Sequence, residues 1–152
     1  PTSRIKHFIW ETFASHYLEL VKNRAYNQEG RFSKEEQNGA IYTLNNCLEN
    51  ILKLLYPVIP MITYKLYMEL LGEDLNLASF PEPKERYEPK FTTDELEGLN
   101  SAIWKIKKDL KISLKAPIKR AVIPENFRGI EKDFAAMHQI ENLAYGDFKV
   151  DV

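Results

Sequence analysis

The sequence lacks the features that mark several large classes of protein. It has one cysteine among 152 residues, Cys47, which excludes an internal disulfide and indicates a reducing compartment, so we expect a cytoplasmic protein. Its longest apolar stretch, around residues 51–62, is interrupted by Lys53, Pro57 and Pro60. That excludes a membrane-spanning helix, which needs about 18 apolar residues, and we expect no membrane partner. No glycine-rich phosphate loop or secretory signal pattern occurs.

Catalytic and metal-binding patterns are also absent from the sequence. The histidines (His7, His16 and His138) are far apart, and none has a second histidine or a cysteine at the spacing of a metal site. An isolated histidine on a mixed helix is typically a surface or hydrogen-bonded residue, and Cys47 is expected to be a buried, inert thiol. No pair of carboxylates stands in an apolar setting that would raise its pKa. We therefore expect neither a metal site nor a catalytic site.

The composition is that of an ordinary globular domain, with 44% hydrophobic and 28% charged residues. A chain of 152 residues suits one domain, or one domain with a small appendage. The first residue is Pro1 rather than methionine, and a helical pattern begins almost at once. We therefore expect the chain to be a fragment of a longer protein.

Charge is segregated along the chain, although the net charge is only −1. Residues 69–98 contain nine acidic and three basic residues, a net charge of −6, whereas residues 104–120 contain seven basic residues and one acidic residue, a net charge of +6. Residues 22–34 add four basic residues. Basic stretches of this kind permit an anionic partner on one side of the molecule, and they are also typical of a solvated helix face.

Hydrophobic periodicity and helix caps predict four helices. The first spans about residues 4–26, where apolar side chains recur every three or four residues, and it ends at a loop containing Gly30. Ser33 followed by Glu36 is a capping box, in which each side chain satisfies a free backbone N–H, and it opens a second helix that reaches about Tyr56.

Prolines delimit the third helix. Pro57 breaks the second helix because it removes a backbone donor, and Pro60 at a first-turn position starts the third, which ends at Gly72. The apolar stripe that carries this helix is Ile62, Leu66 and Leu70. Residues 75–91 hold three prolines and three acidic residues, and we expect them to form a connector over the surface.

The last third of the chain changes character. Thr92 with Glu95 is a second capping box and opens the fourth helix. Residues 118–123 are rich in β-branched side chains and predict a strand, residues 127–142 predict a helix, and residues 143–152 predict one or more further strands.

Together these elements predict a mainly α fold. We expect a four-helix bundle over residues 1–112, followed by a small β-α-β appendage over residues 113–152.

The loop after the first helix concentrates residues suited to an RNA ligand. Its candidate contacts are Lys22, Arg24, Asn27, Arg31 and Phe32. Cations engage phosphates, an amide reads a base edge and an aromatic ring stacks on an unpaired base, which is how single-stranded RNA is recognised. The alternative is that the loop is merely polar and that Phe32 packs as a hydrophobic staple on the second helix.

A row of lysines marks the fourth helix and its exit. Its members are Lys105, Lys108, Lys111 and Lys115. Lysines are point charges that bind a phosphate backbone without reading sequence, and the alternative is a solubilising face. Trp104 stands at the edge of this row, and we expect it in the core.

Residues 8–26 form an aromatic-rich segment that ends in the pattern Tyr17-Leu18-Glu19, Lys22 and Arg24. This segment resembles the first anticodon-domain helix of valyl-tRNA synthetases.

Three later segments carry the same resemblance. Residues 54–67 are similar to a proline-containing element shared by the valine, isoleucine and leucine enzymes, with Met61 and Tyr64 in place of the usual phenylalanine and glutamate. Residues 79–83 resemble the stretch that follows in those enzymes, with a phenylalanine in the tryptophan position. Residues 110–117 are similar to the basic connector of archaeal-type valine enzymes.

The resemblance implies the anticodon-binding region of a class I aminoacyl-tRNA synthetase, most like an archaeal-type valyl-tRNA synthetase. It implies a tRNA partner, bound through the anticodon stem-loop, and a catalytic domain of the same polypeptide that acts as an ATP-dependent ligase. The ATP-site signatures His-Ile-Gly-His and Lys-Met-Ser-Lys-Ser do not occur in this sequence. We therefore expect this region to bind tRNA without a cofactor and without catalysis.

Two alternatives stay open at this point. One is the same region of an isoleucyl- or leucyl-tRNA synthetase. The other is a non-enzymatic helical scaffold whose segregated acidic and basic surfaces bind other proteins.

Overall fold

The computed structural model describes residues 2–82, 88 and 90–152 of the chain. The described part is mainly helical, as predicted, and it includes a small three-stranded sheet. Its backbone groups into two compact units, the first formed by Pro1–Phe32 with Glu88–Val152 and the second by Ser33–Tyr87. The division of the sequence into domains at residues 112 and 113 stays a prediction.

The first unit begins with one continuous helix that has a wider middle section. Its parts are α1 (Thr2–His7), a π-helical segment (Phe8–Tyr17) and α2 (Leu18–Tyr26). Ile5, Ile9 and Phe13, which are half-buried, recur every four residues. In an α-helix of 3.6 residues per turn, side chains four residues apart differ in direction by about 40°. A π-helix has more residues per turn, so this difference is smaller there. The predicted helix is confirmed, but its π-helical section was not foreseen.

The predicted capping box opens the second long helix of this unit, α5 (Thr93–Asp109). The Thr92 hydroxyl accepts a hydrogen bond from the Glu95 backbone N–H, and the Glu95 carboxylate accepts one from the Thr92 backbone N–H. Past the end of α5, Lys111 adopts the left-handed conformation, with φ 55°. Its N–H group donates to the Lys108 carbonyl and helps to close the last turn.

A three-stranded sheet completes the first unit. Its strands are β1 (Ile118–Ile123), β2 (Ile140–Tyr145) and β3 (Lys149–Asp151). The central strand β1 pairs parallel with β2 and antiparallel with β3. The parallel pair is joined through α6 (Glu131–His138), which packs against β2 and against α2. The predicted strand at residues 118–123 is confirmed.

The prediction that a helix extends to residue 142 is wrong. The helix stops at His138 because Gln139 adopts the left-handed conformation, with φ 57°, and cannot continue it. Ile140 then begins β2 in register with Ile118 of β1. Pairing with a neighbouring strand therefore prevails over the helical periodicity of the local sequence.

The second unit contains α3 (Lys34–Leu55) and α4 (Pro60–Leu71). The predicted capping box at Ser33 and Glu36 is confirmed by both of its hydrogen bonds. Cys47 on α3 is half-buried, and burial raises the pKa of its thiol. Of the predicted connector at residues 75–91, residues 83–87 and 89, including Pro83 and Pro89, lie outside the described residues.

The apolar stripe predicted to carry α4 does not face the core. Ile62, Leu66 and Leu70 are 62%, 38% and 58% exposed. Tyr67 fills the interior instead, at 1% exposure, against Leu52 of α3. Tyr67 and the partly buried Leu71 thus pack against the interior, while Ile62, Leu66 and Leu70 lie on the exposed side of α4.

Candidate nucleic-acid interface

Four of the predicted contact residues line one cavity in the first unit. The cavity has a volume of about 310 Å³ and lies where the end of α2 and its following loop meet the end of α6. We call it the α2–α6 cleft and define it by Lys22, Asn27, Gln28, Arg31, Phe32 and Gln139. The cleft therefore joins two parts of the chain that are far apart in sequence.

Asn27 shapes the loop that forms one wall of the cleft. It follows α2 in the left-handed conformation, with φ 46°, which asparagine tolerates better than most residues. Its Nδ2 donates to the Phe32 carbonyl over 2.8 Å, and its Oδ1 accepts from the Phe32 backbone N–H over 3.1 Å. The amide is thus engaged in closing the loop. A contact between Asn27 and a base stays a prediction.

The two aromatic side chains of the cleft differ in exposure. The Phe32 ring is 7% exposed and belongs to the interior. Its predicted stacking on an unpaired base stays a prediction, one that this burial does not favour. Tyr26 also lines the cleft and is 73% exposed. An aromatic surface for stacking is therefore present, contributed by the last residue of α2, which is outside the predicted contact set.

Two cations of the cleft are paired with carboxylates at the surface. Lys22 forms an ion pair with Glu19 one helical turn earlier. Arg31 places its Nε 2.6 Å from the Glu29 carboxylate, and both side chains are more than half exposed. Exposed ion pairs contribute little to stability. A phosphate group can therefore replace either carboxylate at small cost.

Arg24 occupies a different position from the other predicted cations. Its Nε lies 3.2 Å from Asp133 Oδ1, and the two side chains are 28% and 7% exposed. This ion pair ties α2 to the first turn of α6. The phosphate contact predicted for Arg24 stays a prediction, while its observed partner holds the two walls of the cleft together.

The predicted lysine row lies apart from the cleft. Lys105 and Lys108 are exposed on α5, and Lys111 and Lys115 are exposed beyond its end. They form an exposed surface, and none of them lines the cleft. Such a surface suits contact with a phosphate backbone rather than with base edges.

Lys107, within the same basic segment, is buried. Its side chain is fully inaccessible, and its Nζ donates to the carbonyl oxygens of Leu114, Ala116 and His138 at 2.9, 2.7 and 2.9 Å. Burial lowers the pKa of this ammonium group. One cation thus holds the segment that leaves α5 against the C-terminal end of α6, where the helix dipole favours positive charge.

A buried hydrogen-bond chain lies next to this lysine. Asn100 Nδ2 lies 3.2 Å from His16 Nδ1, and Asn100 Oδ1 lies 2.9 Å from His138 Nε2. Burial and the nearby Lys107 charge lower the pKa of His138 to about 3, so it is neutral and donates from Nε2 to Asn100. Trp104 is half-buried between the two imidazoles, with ring centroids 5.4 and 5.9 Å away.

Sequence analysis missed both Gln139 and this buried chain. The partners of Asn100 lie 84 and 38 residues away in sequence, and no local pattern links them. Gln139 falls within the helix predicted over residues 127–142, not at its end. The only sequence signal at its position is the β-branched Ile140 that starts β2.

Two further kinds of site, a membrane-spanning helix and a metal cluster, are not found among the described residues. No helix among the described residues combines the length and apolar character that crossing a membrane requires. Nor do three or more histidine, cysteine, aspartate or glutamate side chains cluster around a potential metal position in this part of the chain.

Comparison with protein families gives a match over most of the chain. A family model for the anticodon-binding domain of tRNA ligase matches residues 1–123. The matched segment includes the loop after α2, all of α5 and β1. It stops short of α6 and Gln139.

Similar full-length proteins are valine–tRNA ligases. That of Pyrobaculum aerophilum is 34% identical over 149 residues, which cover 96% of this chain and 19% of that protein. That of Aeropyrum pernix is 32% identical over 151 residues, covering 95% and 18% respectively. That of Aquifex aeolicus is 34% identical over 135 residues, covering 80% and 12%. The chain thus spans about a fifth or less of the length of these relatives.

Proposed function

The chain belongs to the family of anticodon-binding domains of tRNA ligases, and we propose that it is the tRNA-recognition region of a valine–tRNA ligase, by similarity to the proteins of that name. It binds the anticodon stem-loop of the tRNA and takes part in translation in the cytoplasm. A catalytic domain of the same polypeptide supplies ATP-dependent ligation, and this region has no catalytic activity of its own. The four-helix bundle predicted over residues 1–112 is part of this proposal.

The α2–α6 cleft is the observation that carries the proposal. It combines an exposed aromatic ring, amide side chains and two surface cations within one cavity of about 310 Å³. Unpaired bases are recognised by stacking and by hydrogen bonds to their edges, while cations bind the flanking phosphates. In this proposal Tyr26 stacks on a base, and Lys22 and Arg31 exchange their carboxylate partners for phosphates. Asn27 and Phe32 form the wall against which the base rests.

The lysine row supplies the second part of the binding surface. Lys105, Lys108 and Lys111 contact the phosphate backbone of the stem, which gives affinity without sequence preference. Arg24 acts through its ion pair with Asp133, which fixes the spacing of the cleft walls. Affinity and specificity thus come from different residues.

The proposal is tested by measuring the affinity of the chain for short RNA hairpins. All valine codons begin with guanine and uracil, so valine anticodons share adenine as their second base and cytosine as their third. We expect tighter binding to a hairpin with a valine anticodon than to one in which the shared adenine is replaced by guanine. Equal affinity for the two hairpins would refute base recognition by this chain.

Further hairpins distinguish the alternatives. Preference for an isoleucine or leucine anticodon loop would assign the chain to a synthetase of that amino acid. If no hairpin binds and the chain instead binds proteins, the scaffold alternative is correct. The lack of any exchange of pyrophosphate into ATP with valine would agree with a region that has no active site.

A further inference from the structure

We infer that Gln139, between α6 and β2, hydrogen-bonds the edge of an unpaired base held in the α2–α6 cleft. The inference rests on the proposed function and adds a residue to it. Gln139 lies beyond residues 1–123, which the family model matches. Base recognition would then use the segment between a helix and a strand of the sheet as well as the helical segment.

Two residues of the cleft adopt an unusual backbone conformation. In the described part of the chain, three residues other than glycine have positive φ, namely Asn27, Lys111 and Gln139. Two of them line the cleft, one at the end of α2 and the other at the end of α6. Glycine is the usual residue at such positions because it adopts this conformation without strain. Strained residues cluster where a side chain has a function, which suggests that the amide of Gln139 is used.

Hydrogen bonds fix the backbone of Gln139 and of the residue before it. Its N–H donates to the Ala135 carbonyl within α6, and its carbonyl accepts from the Ile118 N–H of β1 over 2.9 Å. The carbonyl of the preceding residue accepts from Lys107 Nζ over 2.9 Å. Three elements therefore fix the position from which the Gln139 side chain extends, while that side chain is itself exposed at the cleft. A ligand does not have to order this backbone before binding, which favours affinity and selectivity.

The amide of Gln139 has hydrogen-bonding groups that match the edge of a base. A glutamine amide carries one acceptor and one donor side by side, and the Watson–Crick edge of an unpaired base offers a matching pair. Asn27 has the same chemistry, but its amide is engaged with the Phe32 backbone. Gln28 also places an exposed amide at the cleft, but it stands in the loop without the three-sided support of Gln139. Gln139 is therefore the best-placed amide to read a base.

The decisive variant is Gln139→Gly. Glycine adopts a φ near 57° without strain, so the variant should melt at the same temperature as the unmutated chain or higher. It lacks the amide, however, and we expect its preference for a valine anticodon hairpin over the adenine-to-guanine hairpin to fall roughly five- to hundredfold. Gln139→Asn, which tolerates the left-handed conformation but has a shorter side chain, should fold and lose preference as well.

Lys111→Gly is the matched control. It relieves the same backbone strain at the end of α5, outside the cleft. Because Lys111 belongs to the lysine row, the variant should bind both hairpins more weakly by the same factor, so that the ratio of the two affinities stays that of the unmutated chain. A similar loss in Lys111→Gly would show that backbone relaxation, not the amide, causes the effect, and would overturn the inference. Gln28→Ala should reduce the preference less than Gln139→Gly, and the reverse order would move the contact to Gln28.

The outcomes separate the inference from the function on which it rests. If the unmutated chain prefers the valine hairpin and Gln139→Gly keeps that preference, the role of Gln139 is wrong and the proposed function stands. If Gln139→Gly weakens both hairpins equally, Gln139 does not read a base. If the unmutated chain shows no preference between hairpins, the proposed function fails, and the inference fails with it.

Discussion

The interiors of the two units are built from different chemistry. Of the six buried polar or charged residues in the described chain, five lie in the first unit, namely His16, Asn100, Lys107, Asp133 and His138. In the second unit the buried polar residue is Thr63, whose hydroxyl donates to carbonyls of its own helix region. The core of that unit is Leu52, Tyr67 and Leu75.

The two kinds of interior restrict the structure to different degrees. Buried polar groups are costly unless they find their partners, so they permit few alternative arrangements, whereas apolar side chains tolerate repacking. The first unit also carries the cleft, whose walls must keep a fixed spacing. We therefore expect the first unit to be sensitive to small chemical changes that the second unit tolerates.

The largest effect is expected for Lys107→Met. The variant keeps the apolar stem but removes the ammonium group, leaving three carbonyl oxygens without their donor. We expect the first unit to lose about 3–5 kcal/mol of unfolding free energy. Urea unfolding followed by tryptophan fluorescence measures this, because both tryptophans, Trp10 and Trp104, belong to the first unit.

Lys108→Met is the matched control for that experiment. The side chain is the next lysine along α5 and is exposed, so the substitution should change stability by no more than about 0.5 kcal/mol. Equal destabilisation by the two variants would break the comparison between the units, because the buried cation would then contribute nothing specific.

A pH-dependent loss of stability is expected next. Burial and the nearby Lys107 charge give His138 a pKa of about 3 in the folded chain, against about 6.5 when unfolded. Above pH 6.5 the imidazole is neutral in both states and contributes no pH dependence. As the pH falls from 6.5 towards 3, the unfolded state alone binds the proton, and stability falls by about 1.4 kcal/mol per unit. His138→Gln should flatten this slope, and an unchanged slope would contradict the assignment.

A smaller effect is expected for Tyr67→Phe in the second unit. The ring fills the apolar core, and its hydroxyl lies 3.4 Å from the Glu73 carboxylate and also interacts with Lys53. We expect a loss of about 0.5–1 kcal/mol, measured by urea unfolding followed by circular dichroism at a helix wavelength. A loss as large as that of Lys107→Met would show that the second unit also depends on a buried polar contact.

The smallest effect on stability is expected for the triple substitution of Lys105, Lys108 and Lys111 by alanine. These side chains are exposed, so the melting temperature should hardly change. The dependence of hairpin affinity on salt should become shallower by about one unit of slope per lysine, with the preference between hairpins unchanged. An unchanged salt dependence would identify the row as a solvated face without a role in RNA binding.

Local signals in the sequence predicted much of the fold. Both capping boxes, at Ser33 and at Thr92, depend only on residues three positions apart, and both form as expected. Pro60 and Gly72 delimit α4 through their backbone preferences alone. Periodicity gave a wrong prediction where tertiary contacts determine the local structure. At Gln139 the helix ends because the chain pairs with a neighbouring strand.

The candidate site shows the same limit. The residues of the loop after α2 stand together in the sequence, so their clustering could be predicted. Their orientation could not, because the hydrogen bonds of Asn27 to the Phe32 backbone turn an exposed amide into a structural one. The Arg24 ion pair and the place of Gln139 depend on α6, more than a hundred residues further along the chain.

The exposed side of α4 makes the protein susceptible to slow oxidation. Met61 stands on this side and is 85% exposed. Peroxide converts an exposed thioether to a sulfoxide, which is polar and chiral. Because most of the Met61 side chain is exposed, its oxidation should make the surface of the helix more hydrophilic and leave the fold intact. An aged sample would then show a shorter retention on a hydrophobic column than a fresh one, with the same circular dichroism.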